Sequence, residues 1–288
     1  MKIALHQITS INAPLEADLK AYSEAGWGAF ELHMAKAQKY AQAHGRSAYR
    51  DLVRASGLKA VGCTGHVVRA FGTEAEAQKS QADFLETLEY MQEIECPIVV
   101  FGGDGPAQPA AAPDQSEAGL AARDLAYRDA LQRFADHIGR LADLAAPRGI
   151  TMALEINWCQ LCRSVRTAAE TLDLVGRPNV GLLFDTAHFA VSPSRLSDLD
   201  LVKGRIVYGH LDDFRPCPPE ITNVNNDRVI PGQGCLPLRE WYAKVAECGY
   251  TGWHAVELFC HDLWQQPVEQ IARQVKQGCL QVWPDAQF

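Results

Sequence analysis

VGLLFDTAH, residues 180–188, runs mostly apolar residues into an acid and closes on an imidazole three positions later. That is the pattern of a buried strand whose C-terminal tip, Asp185 and His188, ends in a polar pocket. One carboxylate and one imidazole neither hold a metal nor drive a proton transfer alone, so the segment calls for partners from other strands.

Outward from this segment, short apolar runs alternate with longer helical patterns, the order expected of a parallel sheet wrapped by helices. The strand candidates are Lys2–Ile8, Ala29–Met34, Lys59–Thr64, Pro97–Gly102, Thr151–Asn157, Val180–Asp185, Arg205–Leu211 and Trp253–Phe259. Helical patterns fall on Leu15–Ala25, Ala48–Ser56, Glu74–Glu95, Leu120–Ala146, Val165–Val175, Leu238–Cys248 and Val268–Val282. The link between the sixth and seventh strands is too short for a full helix. Gly26, Gly57, Gly149 and Gly249 each stand between a helical stretch and a strand, where a left-handed residue ends a helix at little cost. Leu125, Leu131, Phe134, Ile138, Leu141 and Leu144 mark the expected core-facing stripe of the longest helix. Eight strand–helix units without a composition break predict one α/β domain over residues 1–288, a single closed (β/α)8 TIM barrel.

The composition, 47% hydrophobic and 22% charged, is that of a soluble globular protein, with apolar runs far short of a membrane span. The opening MKIALHQITS lacks the apolar core of a signal peptide and reads as a first strand, so the expectation is a cytoplasmic enzyme with no membrane partner. A net charge of −8 with scattered Lys and Arg argues against nucleic acid as a partner. The nine cysteines are irregularly spaced and several, such as Cys63, Cys96 and Cys248, sit in apolar contexts, which predicts reduced buried thiols. Cys159 and Cys162 form a CxxC without the second pair a zinc site needs. The number of copies in the assembly is open, a homo-oligomer included. Two long connections, Gly103–Glu117 (GDGPAQPAAAPDQSE) and Asp212–Pro237, follow strand ends on the face where such barrels carry catalysis. Loops of that length are lids or disordered insertions.

A barrel brings the C-terminal ends of its strands to one mouth. The fifth strand ends in ALEIN with Glu155, the sixth in FDTAH with Asp185, the seventh in YGHLDD with His210, and the eighth in AVELF with Glu257. Each interrupts an apolar run and would be a costly buried charge unless satisfied. Three carboxylates and one imidazole satisfy one divalent cation, Mn2+ or Zn2+ foremost, with Mg2+ and Co2+ also compatible.

These residues carry a resemblance. The chain resembles the xylose-isomerase-like TIM-barrel superfamily of sugar isomerases and epimerases, and is most similar to the inosose isomerase type in NVGLLFDTAHF, GHLDDF, NDRVIPGQG and GYTGWHAVELF. The resemblance implies a single metal site on Glu155, Asp185, His210 and Glu257, with Glu155 and Glu257 also serving as the catalytic acid/base pair. It also implies substrate contacts. His188 matches a position that hydrogen-bonds a sugar oxygen. Arg228, before PGQG, would hold a substrate oxygen or anchor the long loop to Asp212 or Asp213. His66, Glu31 and His33 sit at strand ends near the mouth, and Trp158 and Phe71 are candidate apolar walls.

The implied substrate is a small keto-sugar or cyclitol such as an inosose. The implied reaction removes a proton next to a carbonyl through a metal-stabilised enediolate. A dehydratase on the same substrates shares the first step, although the dehydroshikimate type tends to carry Gln where this chain has His210. An endonuclease IV type would place a metal-binding His where Val229 stands and an imidazole where the fourth strand has FGGDG. A sugar-binding barrel without catalysis is the remaining alternative.

Overall fold

The computed structural model describes residues 1–106, 115–157, 161–216, 218 and 221–288. Trp158, Cys159 and the central part of the Pro/Ala-rich connection lie outside the described residues.

Eight parallel strands close a barrel: β1 (Lys2–His6), β2 (Ala29–His33), β3 (Lys59–Val68), β4 (Ile98–Gly103), β5 (Thr151–Glu155), β6 (Val180–Asp185), β7 (Ile206–Leu211) and β10 (Trp253–Val256). Each strand pairs with its neighbours in sequence order, and β10 closes onto β1 through Lys2 to Leu5. Between β7 and β10 the chain adds a two-stranded hairpin, β8 (Asp213–Phe214) against β9 (Arg228–Val229). The helices are α1 (Leu15–Glu24), α2 (Met34–His44), α3 (Arg46–Ser56), α4 (Glu74–Glu93), α5 (Glu117–Ala145), α6 (Val165–Val175), α7 (Thr186–Val191), α8 (Leu238–Glu247), α9 (His261–Trp264) and α10 (Val268–Val282). Among the described residues, no helix is long and apolar enough to cross a membrane.

The core divides into two layers. Side chains facing the helices form one large cluster, while Ala4, Ala29, Val61, Val100, Ala153, Leu183, Tyr208 and Ala255 fill the barrel interior. The interior set is small apart from Tyr208, whose ring occupies the space that four alanines leave. Gly62 belongs to this fit, because a Cβ there would lie 2.6 Å from the Tyr208 hydroxyl. The four glycines expected to end helices all have positive φ: Gly26 at 77°, Gly57 at 70°, Gly149 at 67° and Gly249 at 96°.

The elements depart from expectation in several places. β1 stops at His6, where the chain turns into a 3-10 segment, Gln7–Ser10. A helix, α2, directly follows β2, where the sequence pattern gave none. β3 runs on to Val68 through a register shift between Cys63 and His66. Leu125 is 62% exposed rather than in the core, because α5 starts well before its first buried residue, Ala130.

Candidate metal centre

β5 and β6 end on Glu155 and Asp185, His210 is the penultimate residue of β7, and the third acid, Glu257, lies one residue beyond β10. From His210 Nδ1, Glu155 Oε1 is 3.2 Å away, Glu257 Oε2 3.4 Å and Asp185 Oδ2 3.5 Å. One ligand atom from each of the four residues lies within 4.8 Å of every other. Donors held about 2.0–2.2 Å from a tetrahedral ion are separated by about 3.3–3.6 Å, so these spacings fit one small divalent cation. Asp185 Oδ2 and His210 Nδ1 are both buried without a hydrogen bond among the described residues, which fits atoms that could ligate a cation.

The local chain explains why these atoms are free. Asp185 caps α7: its Oδ1 accepts the backbone N–H of His188 at 2.6 Å, which turns Oδ2 to the centre. The DTAH run therefore ends a strand, starts a helix and presents one carboxylate oxygen in four residues. Thr186 ties the tip of β6 to that of β7, its hydroxyl accepting the Asp212 N–H at 2.9 Å and donating back to Asp212. Tyr242 of α8 donates to the His210 carbonyl at 2.7 Å and fixes the strand from behind.

Charge around the centre is concentrated. Burial alone would raise Glu257, but His210 and Arg228 hold it well below the usual carboxylate range. Burial also works against ionised Asp185, and the nearby His188 and Arg228 outweigh it, leaving it lowered. Asp212 is pushed well up by burial and by Asp185. Burial pulls the His210 ring down, yet Glu257 and Glu31 raise it well above the ordinary imidazole value. Carboxylates that attract a proton to His210 attract a divalent cation by the same field, and cation binding displaces that proton.

A second grouping, His6 with His210 and Glu257, also has close ligand atoms. It does not fit an ion equally well. His6 Nδ1 accepts the Ile8 N–H at 2.8 Å, so in the neutral ring, which burial favours by lowering its pKa, Nε2 carries the hydrogen. That N–H donates to Thr64 Oγ1 at 2.6 Å. No lone pair of His6 remains for a metal.

The predicted contacts separate. His188 lies beside the centre, 3.3 Å from Asn157 Nδ2, with Nδ1 buried and unpaired among the described residues. Arg228 is 1% exposed and spent on protein acceptors: Nη1 donates to Glu257 Oε2 at 2.8 Å, to the Glu257 carbonyl at 3.0 Å and to Asp212 at 3.2 Å, and Nε to the Val224 carbonyl at 2.9 Å. Of its two expected uses, the structure displays the anchoring one. Glu31 is fully buried behind His210, 3.1 Å from Nε2, rather than open to the mouth. His66 is not drawn to the centre: its ring packs 4.7 Å from that of Phe84 on α4, with Asp83 and His137 nearby. Burial pushes its pKa down to about 4. Phe71 lies beneath the Arg133 guanidinium at 5.3 Å. Sequence reasoning gave no role to His6 or Asn157, and named Asp212 only as an anchor for Arg228.

Asp213 organises the loop that follows. Its carboxylate accepts the backbone N–H groups of Phe214, Gly232, Gly234 and Leu236, all at 2.9–3.1 Å. Gly234 is required there, since a Cβ would lie 2.2 Å from Asp213 Oδ1.

A closed parallel barrel with four residues at its C-terminal mouth that could together hold a cation defines a class of TIM barrel. Residues 19–280 match the family model described as xylose isomerase-like TIM barrel, and the chain belongs to that family. An inosose isomerase of Halalkalibacterium halodurans is 26% identical over 98% of this chain and 96% of its own. An inosose dehydratase of Klebsiella pneumoniae is 31% identical over 44% of this chain and 46% of its own. The crystal structure of the IolI protein with a bound zinc atom superposes with a TM-score of 0.84 at 22% identity, covering 98% of both chains.

Proposed function

We propose that residues 1–288 form one barrel domain acting as a divalent-metal-dependent isomerase or epimerase of a keto-sugar or inosose. The observation that carries this reading is the approach of Glu155 and Glu257 to His210 Nδ1, at 3.2 and 3.4 Å, from strand ends three places apart around the barrel. Two carboxylates so placed flank a small substrate from opposite sides. The relatives named as inosose isomerases support the substrate class.

Isomerisation or epimerisation takes a proton from the carbon beside a carbonyl and returns it elsewhere or to the other face. A divalent ion held by Glu155, Asp185, His210 and Glu257 supplies Lewis acidity for the charge that develops on the substrate oxygens. Glu155 is the more open of the two acids, its side chain 14% exposed against 9% for Glu257, and accepts the proton. Glu257, kept anionic by His210 and Arg228, stands on the opposite side to exchange roles with it. His188 Nδ1 is buried and unpaired among the described residues and holds a substrate hydroxyl.

The test is incorporation of deuterium from heavy water into an inosose and ketose panel by metal-loaded protein. Glu155→Gln and Glu257→Gln are each expected to fold and to exchange little; near-normal exchange in both contradicts the assignment. A second reading, loss of water from the same substrates, is favoured by the relatives named inosose dehydratase. Appearance of an α,β-unsaturated carbonyl absorbance during the incubation distinguishes it from isomerisation.

A further inference from the structure

The cation centre has a back wall, and its residues were not assigned to it by sequence. Glu31, on the inner face of β2, is 0% exposed, and its two carboxylate oxygens lie 3.1 and 3.3 Å from His210 Nε2. The imidazole thus stands between Glu31 and the ligand atoms of Glu155, Asp185 and Glu257, which gather on its Nδ1 side. A ring carries one hydrogen when neutral, and both Glu31 oxygens face Nε2, as a carboxylate does when it accepts from an N–H.

We infer that Glu31 is a positioning residue: it holds His210 as the Nε2–H tautomer and fixes the ring plane, so that the Nδ1 lone pair points at the cation centre. It does not touch substrate. A metal-ligating histidine whose second nitrogen donates to a carboxylate is oriented and made more basic by it.

The surroundings leave Glu31 little freedom. It pairs in register with Gly62 of β3, next to a register shift between Phe30 and Glu31. Tyr208 fills the interior beside the missing Cβ of Gly62. On the neighbouring strand, His6 meets the His210 ring edge-on, with centroids 5.6 Å apart and planes at 87°. His6 is itself locked by the Ile8 N–H and Thr64, so its Nε2–H lies 3.5 Å from Glu31 and adds a positive edge to that carboxylate. The sequence places Glu, Thr and two His residues on β1, β2, β3 and β7; the barrel turns them into one chain of contacts ending at Nδ1.

This inference rests on the metal reading, and the experiment separates the two. Cobalt(II) is titrated into wild type, Glu31→Gln and Glu31→Met, and the visible d–d bands of the bound ion are recorded. Glu31→Met is expected to bind cobalt about ten- to a hundredfold more weakly with altered bands. Glu31→Gln, whose amide oxygen still accepts from Nε2–H, is expected to keep the wild-type spectrum and most of the affinity. A Met variant that binds cobalt as wild type does, with only a raised KM, overturns the positioning role and returns Glu31 to a substrate contact. A wild type that binds neither cobalt nor zinc overturns the metal reading itself. Should Glu31→Met not fold, long-range 1H–15N spectra of zinc-loaded wild type with labelled histidine decide the same point: a proton on His210 Nε2 supports the inference, and one on Nδ1 overturns it.

Discussion

Asp185 and His188 stand three residues apart and are given different work by their geometry. One Asp185 oxygen caps α7 and the other faces the cation centre, whereas His188 offers its Nδ1 outside that set. Asp185→Ala is therefore expected to lose metal, and His188→Ala to keep metal in a dialysis and elemental measurement while losing turnover. Arg228 is the guanidinium holding Asp212 and Glu257, and it packs 4.9 Å over the Phe259 ring. Arg228→Met leaves those carboxylates buried without their cation, and a loss of about 3–5 kcal/mol in denaturant unfolding is expected. The four residues gathered at the mouth, Glu155, Asp185, His210 and Glu257, were legible in the sequence because each interrupts an apolar run at a strand end. Glu31 was legible as a polar residue near the mouth but not in its use, and Arg228 was legible in one of its two expected uses, the anchor to Asp212. Which neighbour a buried charge meets is decided by strands distant in sequence, and no local pattern records it.

At the scale of elements, the barrel strands were readable because a strand covered on both faces must be apolar throughout. The helix α2 was not readable in the same way. Its sequence, MAKAQKYAQAH, is made of helix formers with few large apolar residues, so it has propensity without a hydrophobic stripe. His66 shows the complementary difficulty, since the register shift after Cys63 breaks the inward–outward alternation by which a strand residue is assigned to the mouth. Two substitutions test the packing. Gly62→Ala forces a methyl group against the Tyr208 ring, and a destabilisation of about 1–3 kcal/mol is expected by thermal or denaturant unfolding. Asp213→Ala strips the PGQG loop of the acceptor shared by the amides of Phe214, Gly232, Gly234 and Leu236. Faster hydrogen exchange at those four amides is its expected signature, with the barrel strands unchanged.

The whole molecule couples this mouth to a buried, largely neutral body, and its stability carries a pH dependence. His66 has its pKa lowered by burial to about 4, while Asp83 opposes and His137 reinforces that shift. The folded chain therefore resists the proton that the unfolded chain takes up near its ordinary value. Stability from this group is full above about pH 6.5 and falls as the pH drops towards 4, by up to about 1.4 kcal/mol per unit. His66→Leu is expected to flatten that slope by one proton in unfolding measured with a chelator present. The α/β order and barrel closure were legible at this scale because eight alternating units leave few other arrangements. The exposure of Leu125 was not, since it keeps the helical spacing on the part of α5 that precedes the helix's first buried residue, Ala130.

The central claim is that Glu155, Asp185, His210 and Glu257 together hold one divalent ion. Its most direct test is the metal stoichiometry of chelator-stripped protein titrated with zinc or manganese, in wild type and Asp185→Ala. The arrangement predicts one tightly bound ion per chain in wild type and none retained in the variant; equal stoichiometry and affinity in the two proteins would contradict it.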